Sequence, residues 1–102
     1  MSILLKDQII NDIKTNNIIL YMKGSKLMPM CGFSSTVVKI LGMYDINYKD
    51  VNVLEDPNIR INLSEHSNWP TIPQLFVKGE LIGGCDILVE LHNTKQLEKI
   101  LS

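Results

Sequence analysis

The chain has 102 residues and a net charge of −1 from ten basic and eleven acidic side chains, which argues against nucleic-acid binding through a charged face. Its apolar runs fall short of the roughly 20 residues that a membrane-spanning helix needs, and its first residues turn polar too early for a signal peptide. The two cysteines, Cys31 and Cys85, lie far apart and do not form a secreted disulfide framework, so we expect a reduced, cytoplasmic protein.

The first half of the chain predicts helix, strand, helix and strand in succession. Apolar residues near a 3.6-residue period predict an amphipathic helix over residues 3–15. The apolar run Asn17–Met22 predicts a strand buried on both faces. Ser34–Met43 predicts a second helix, which ends near Gly42, and Ile46–Val53 predicts a second strand nearer the sheet edge. Because a helix-length crossover joins the two strands, we expect them to be parallel.

The second half begins with a helix start signal. Asp56 is the expected N-cap, Pro57 occupies the first turn, and the apolar positions that follow are Ile59, Ile61 and Leu63. The remaining predicted elements are a β-hairpin and two helices: Gln74–Val77 with Leu81–Ile82, a helix capped by Asp86 that runs to about His92, and a last helix capped by Thr94 that runs through Leu101.

This order, α-β-α-β-α-β-β-α, predicts an α/β protein. Its sheet is mixed and four-stranded, with a parallel part first and a hairpin that closes it, and helices flank it on both faces. A thioredoxin-like fold has this plan. No repeat, linker or low-complexity segment interrupts the sequence, so we expect one domain over residues 1–102.

The tetrapeptide Cys31-Gly32-Phe33-Ser34 stands where the second predicted helix begins. Free N–H groups and the positive end of the helix dipole should therefore face the sulfur and favour the thiolate. The thiolate is the form that attacks disulfides and binds metals. Redox enzymes of the C-x-x-C type have a second cysteine where this chain has Ser34. No disulfide can close within this motif, so Cys31 needs a sulfur from elsewhere.

The sequence resembles the monothiol glutaredoxins of the CGFS type over nearly its whole length. The shared blocks are Lys23-Gly24, Pro29–Ser34, Trp69–Gln74, Gly79-Glu80 and Gly83–Ile87. One C-G-F-S tetrapeptide would be a weak signal, whereas blocks in the family order and on the expected elements are specific. The resemblance implies a thioredoxin-like fold in a single-domain, bacterial-like form.

The resemblance also implies a glutathione site. In it Lys23 and Arg60 meet the glycine carboxylate of glutathione, and Lys23 also favours the Cys31 thiolate. Thr71-Ile72 precedes what would be a cis-Pro73, and the backbone of Ile72 would pair with the cysteine moiety like an added strand. The alternatives are a solvated lysine, an ordinary helix-face arginine and a tight turn with trans proline.

The other end of the implied glutathione site is Gly83–Asp86. The backbone amides of Cys85 and Asp86 would hold the γ-glutamyl carboxylate, and the Asp86 side chain would take the ammonium. The alternative role for Asp86 is a plain N-cap. Cys85 is either a small buried hydrophobe or a thiol that is oxidised with Cys31 or with glutathione.

Three apolar residues near the motif cysteine have open roles. Phe33 belongs either to the core or to a lid over the sulfur. Met28 and Met30 form either an apolar rim beside the site or part of the core.

His66 and His92 have no partner at ligand spacing, so no zinc site is expected.

The first functional hypothesis is an iron–sulfur carrier. A [2Fe–2S] cluster held by thiolates needs four sulfur ligands. Two chains would supply Cys31 twice and two glutathiones the rest, which predicts a homodimer bridged by a labile cluster. The resemblance implies the same role and transfer to iron–sulfur acceptor proteins. It also implies pairing with a BolA-type protein, in which one histidine or similar ligand replaces a glutathione.

The second hypothesis is a glutathione-dependent oxidoreductase with a monothiol mechanism. Cys31 would attack a protein–glutathione mixed disulfide and take the glutathionyl group, and a second glutathione would release it. The CGFS type resembles weak catalysts of this reaction, so we rank it second. A third alternative is a glutathione-binding adaptor with neither cluster nor activity.

Overall fold

A computed structural model describes residues 2–102, with side chains from Leu4 onward. Within residues 2–102, five α-helices and four β-strands alternate much as the sequence predicts. In chain order they are α1 (Ser2–Thr15), β1 (Ile18–Met22), α2 (Gly32–Leu41), β2 (Lys49–Asn52), α3 (Pro57–Ser67), β3 (Gln74–Val77), β4 (Glu80–Gly83), α4 (Cys85–Asn93) and α5 (Leu97–Leu101). A 3₁₀ turn, Val53–Glu55, joins β2 to α3. None of the helices in this described part is long and apolar enough to cross a membrane.

The sheet has the strand order β2-β1-β3-β4. Strand β1 lies parallel to β2 and antiparallel to β3, and β3 and β4 form the hairpin. The parallel pair aligns Tyr21 with Val51, and the antiparallel pair aligns Leu20 with Leu75. The mixed four-stranded sheet is therefore confirmed, with β2 at an edge as expected.

Helices cover both faces of this sheet, which explains the continuous apolar sequence of β1. Ile18, Leu20 and Met22 join the core cluster that contains side chains of α2, α4 and α5. Ile19 and Tyr21 point the other way, into the cluster with α1 and α3. All five side chains are at most 4% exposed. Successive strand residues point to opposite faces, so a strand between two helical layers must be apolar throughout.

Helix α2 and strand β2 differ from their predicted bounds for identifiable reasons. Helix α2 begins at Gly32, two residues early, because Cys31 itself is the N-cap and has an extended backbone. Strand β2 is only four residues long, because the chain turns at Asn52. The Asn52 side-chain oxygen accepts hydrogen bonds from the N–H groups of Leu54 and Gly24, each at 2.9 Å. These bonds start the 3₁₀ turn and end the pairing with β1.

Two predicted N-caps are wrong. Gly84, and not Asp86, is the N-cap of α4, because the extended backbone that ends β4 continues through Gly84. Asp86 lies in the first turn of the helix. Thr94 is the C-cap of α4 and its hydroxyl donates to the Glu90 carbonyl at 2.9 Å, while Gln96 precedes α5. A threonine hydroxyl both donates and accepts, so it can serve either end of a helix.

The start of α3 is as predicted. The Asp56 carboxylate accepts from the N–H of Asn58 at 2.9 Å, and Pro57 is the first helical residue. Of the apolar positions, Leu63 is buried and Ile61 is 57% exposed. Residues two apart lie on different sides of a helix, so Ile61 and Leu63 cannot share the inner face.

Candidate functional site

The sulfur of Cys31 sits at the N-terminus of α2, as the sequence predicts. The Ser34 backbone N–H donates to Cys31 Sγ at 3.5 Å, and the Ser34 hydroxyl oxygen lies 3.7 Å from the same sulfur. Cys31 is half-buried. Its sulfur is thus held by the helix start and still reachable from outside.

The surroundings of Cys31 act on its pKa in opposite directions. Partial burial is the largest influence and raises the pKa. The N–H and hydroxyl of Ser34, the N–H of Phe33 and then the charge of Lys23 lower it. Together these donors outweigh burial, so the pKa of Cys31 is lowered and the thiolate is favoured.

The loop between β1 and α2 folds back and places Lys23 beside Cys31. Met30 N–H donates to the Lys23 carbonyl at 2.9 Å, and Lys23 N–H donates to Ser34 Oγ at 3.1 Å. Gly24 makes the fold-back possible. Its φ is +87°, and a Cβ there would lie 2.4 Å from the Met28 carbonyl oxygen. The expected proximity of Lys23 to the motif cysteine is confirmed, while its contact with a carboxylate stays a prediction.

Apolar side chains around Cys31 are exposed. Phe33, Met28 and Met30 are 63%, 71% and 63% exposed, and Leu27 at the loop tip is 93% exposed. The core alternative is therefore wrong for Phe33 and for both methionines. These residues form an apolar rim beside the sulfur.

A cleft of about 210 Å³ opens next to this rim. Three separate segments line it: Phe33 from α2, Trp69 with Thr71–Pro73 before β3, and the stretch Gly84–Ile87 at the start of α4. Four predicted binding residues belong to its wall, namely Thr71, Ile72, Cys85 and Asp86. The fold therefore brings them together at the Cys31 end of the sheet.

The cleft wall formed by Trp69–Pro73 contains a cis peptide bond between Ile72 and Pro73, so the trans alternative is wrong. Gln74, which is fully buried, holds this stretch from behind. Its side-chain amide donates to the carbonyls of Trp69 at 2.9 Å and Thr71 at 3.1 Å. Within residues 2–102 the N–H and C=O of Ile72 make no hydrogen bond. They are free to pair with an extended ligand, as the added-strand model requires.

The opposite cleft wall is the start of α4. No side chain caps the helix at Gly84, so its first N–H groups are open to a ligand. A Cβ on Gly84 would lie 3.1 Å from the Pro73 carbonyl oxygen, which shows how closely the two walls approach. Asp86 is exposed at the cleft, and the alternative of Asp86 as a plain N-cap is wrong.

Cys85 is half-buried, lines the cleft and also packs against the core. Burial is the main reason why its pKa is raised, and the neighbouring charges of Asp86 and Cys31 add to it. The two cysteines thus have opposite tendencies: Cys31 favours the thiolate and Cys85 the thiol.

Arg60 lies outside the cleft wall. It is exposed on α3, and its guanidinium donates to the Pro70 carbonyl at 3.5 Å. This contact puts it beside the Trp69–Pro73 stretch. Its role with a carboxylate stays a prediction.

Two site residues, Ser34 and Gln74, were not predicted to act. Both are fully buried polar residues that hydrogen-bond to site backbone or sulfur. Their sequence neighbourhood carries no sign of this, because serine and glutamine are usually exposed. The only available signal was their position, one at the end of C-G-F-S and one directly after Pro73.

Comparison with known proteins agrees with this geometry. The family model for glutaredoxin matches residues 18–82. A protein of Rickettsia felis named probable monothiol glutaredoxin 2 is 52% identical over 91 residues, which are 89% of this chain and 88% of that protein. The solution structure of reduced poplar apo GrxS14 has a TM-score of 0.81 at 43% identity, over 93% of this chain and 87% of that chain. A buckwheat glutaredoxin–glutathione complex, at 22% identity over 98% and 89% of the chains, shares the fold with a TM-score of 0.85.

Proposed function

The chain belongs to the glutaredoxin family and is of its monothiol type, and on that premise we propose that it binds glutathione and carries a [2Fe–2S] cluster bridged between two subunits. The observation that carries the proposal is the position of Cys31. Its thiolate is favoured, and the same motif supplies Phe33 to the cleft wall. The charge of Cys31 also reaches Cys85, which lines the cleft, and the motif holds no second thiol.

The cleft chemistry supports glutathione as the ligand. Glutathione has two carboxylates, one ammonium and one thiol. The open start of α4 in the cleft wall and Lys23, whose charge acts on Cys31, offer positive charge for the carboxylates. Asp86 in the cleft wall offers a negative charge for the ammonium. Between them the unpaired backbone of Ile72 matches the peptide part of glutathione.

The donor set supports a shared cluster rather than a metal site within one chain. In the part of the chain that the structure describes, no three His, Cys, Asp or Glu side chains gather as a metal site. Cys85 favours the thiol and is partly packed in the core. One chain therefore contributes the Cys31 thiolate, and a second chain and two glutathiones contribute the other three sulfur ligands.

The proposed assembly is a homodimer, and a BolA-type protein could replace one of its subunits. Iron–sulfur acceptor proteins would receive the cluster. The exposed apolar rim around Cys31 supports such encounters, because apolar residues at a surface favour protein contacts. We also propose a cytoplasmic location, where reducing conditions keep an unpaired thiol free.

Anaerobic reconstitution with iron, sulfide and glutathione tests the proposal. We expect a visible charge-transfer band and a dimer in gel filtration, and loss of both when glutathione is omitted. Cys31→Ser should abolish the band, whereas the matched variant Cys85→Ser should keep it. A colourless monomer under these conditions would contradict the carrier function.

The lowered pKa of Cys31 favours a second candidate, reduction of protein–glutathione mixed disulfides by a monothiol mechanism. Cys31 would attack the glutathione sulfur and release the protein thiol, and a second glutathione would then release oxidised glutathione. We expect slow turnover that survives Cys85→Ser. Turnover that requires Cys85 would contradict a monothiol mechanism.

A further inference from the structure

Ser34 occupies the position of the missing second cysteine and is completely buried, with 0% of its surface exposed. Its hydroxyl oxygen has two neighbours from different parts of the chain. The backbone N–H of Lys23, just after β1, donates to it at 3.1 Å. The sulfur of Cys31, at the start of α2, lies 3.7 Å away.

The direction of these hydrogen bonds follows from their chemistry. A backbone N–H can only donate, so the Ser34 oxygen is the acceptor for Lys23. A Cys31 thiol can donate its own proton to the same oxygen, whereas the thiolate has none, so toward the thiolate the Ser34 hydroxyl is the donor. The Ser34 backbone N–H donates to the same sulfur at 3.5 Å. One buried residue therefore holds the sulfur with two groups and the Lys23 backbone with one.

We propose that Ser34 is a positioning residue whose hydroxyl links the Lys23 backbone to Cys31 and sets the spacing between that backbone and the sulfur. The serine is thus more than the absence of a resolving thiol. A cysteine at this position would weaken the link between Lys23 and Cys31, because a thiol is a poor hydrogen-bond donor and a poor acceptor.

The link that Ser34 makes between Lys23 and Cys31 should also affect glutathione binding, an inference that rests on the proposed function. Lys23 is the proposed partner of the glycine carboxylate. The glutathione sulfur is proposed to bind beside Cys31, on the shared cluster or in a mixed disulfide. A fixed spacing between the Lys23 backbone and Cys31 would pre-organise the site, so less ordering would remain for the ligand to impose.

Amide hydrogen exchange, measured by NMR on Ser34→Ala, directly tests the hydrogen bond between the Lys23 N–H and the Ser34 hydroxyl. Without the hydroxyl the part-buried Lys23 N–H loses its acceptor, so we expect its exchange to be about tenfold faster or more. Ser35→Ala is the matched control. It is the same change one residue on, and the Ser35 hydroxyl makes no hydrogen bond within the described side chains. Unchanged Lys23 exchange in Ser34→Ala, or equal acceleration in both variants, would overturn the proposal.

Ser34→Cys keeps the test decisive if the alanine variant does not fold. Under reducing conditions we expect Lys23 exchange between that of the wild type and that expected without an acceptor, and wild-type exchange would overturn the proposal. The dissociation constant for glutathione should rise about fivefold or more in Ser34→Ala and stay unchanged in Ser35→Ala. A wild-type protein that binds no glutathione would refute the proposed function, while Lys23 exchange would still decide the role of Ser34.

Discussion

At the residue scale, the reactivity of Cys31 reflects a balance that leaves its pKa lowered. Burial opposes the thiolate, whereas the donors of Ser34 and Phe33 and the charge of Lys23 support it. Between this lowered pKa and the ordinary thiol value of about 8.5, Cys31 should react faster than a free cysteine. Its reactivity should fall only when the pH drops through the lowered value.

Lys23→Gln should raise the pKa of Cys31, because it removes a positive charge near the thiolate. The shift should be small, since the Lys23 charge is the weakest of the influences on the pKa of Cys31. The measurement is the rate of alkylation against pH in a Cys85→Ser background. We expect the profile to move to higher pH.

Lys26→Gln is the control for this change, because Lys26 lies on the same loop and its ammonium donates to the Tyr48 carbonyl at 3.0 Å. An identical pH profile for Lys23→Gln and the parent would show that the Lys23 charge does not reach the sulfur.

At the element scale, the loop between β1 and α2 depends on one glycine. Gly24→Ala would force a side chain to φ of +87° and bring its Cβ to 2.4 Å from the Met28 carbonyl oxygen. Both effects destabilise the fold, and we expect a loss of about 2 kcal/mol or more in the free energy of unfolding. Urea denaturation measures it.

Gly32→Ala offers a matched control within the same region, because nothing lies within 4 Å of a Cβ built there. We expect the free energy of unfolding to change by about 0.5 kcal/mol at most. Equal stability losses in the two variants would refute the special role of Gly24.

The cleft wall before β3 depends on Gln74 in a similar way. Gln74→Met keeps the length of the side chain and removes both donors to the Trp69 and Thr71 carbonyls. We expect glutathione affinity to fall by about tenfold, because the Ile72 backbone loses its support. Trp69 is the only tryptophan, so its fluorescence can follow glutathione titration.

Gln8→Met is the control for this measurement, because Gln8 is exposed on α1, away from the cleft wall. Unchanged glutathione affinity in Gln74→Met would show that the wall keeps its shape without the buried amide.

At the scale of the whole molecule, hydrophobic pattern was enough to predict the layers. The uninterrupted apolar run of β1 predicted burial on both faces, and Asp56-Pro57 predicted the start of α3. Helix caps were harder, because a cap depends on backbone conformation as well as residue type. Asp86 and Thr94 are good N-cap residues in principle, yet Gly84 and Gln96 hold those places.

The sequence predicts the site residues that belong to recognisable motifs. It misses the site residues whose role depends on being buried. Cys31 and the Trp69–Pro73 stretch were recognisable from their motifs. The joining roles of Ser34 and Gln74 arise only when distant segments meet, and no local pattern distinguishes a buried serine or glutamine from an exposed one. Such polar residues inside a site can be found only from the folded structure.

The most direct test of the shared-cluster account is native mass spectrometry of the reconstituted protein, with iron and sulfide counted in parallel. We expect a species of two chains, one [2Fe–2S] cluster and two glutathiones, which is absent from Cys31→Ser and retained by Cys85→Ser. A cluster bound by one chain, or a loaded dimer without glutathione, would contradict it.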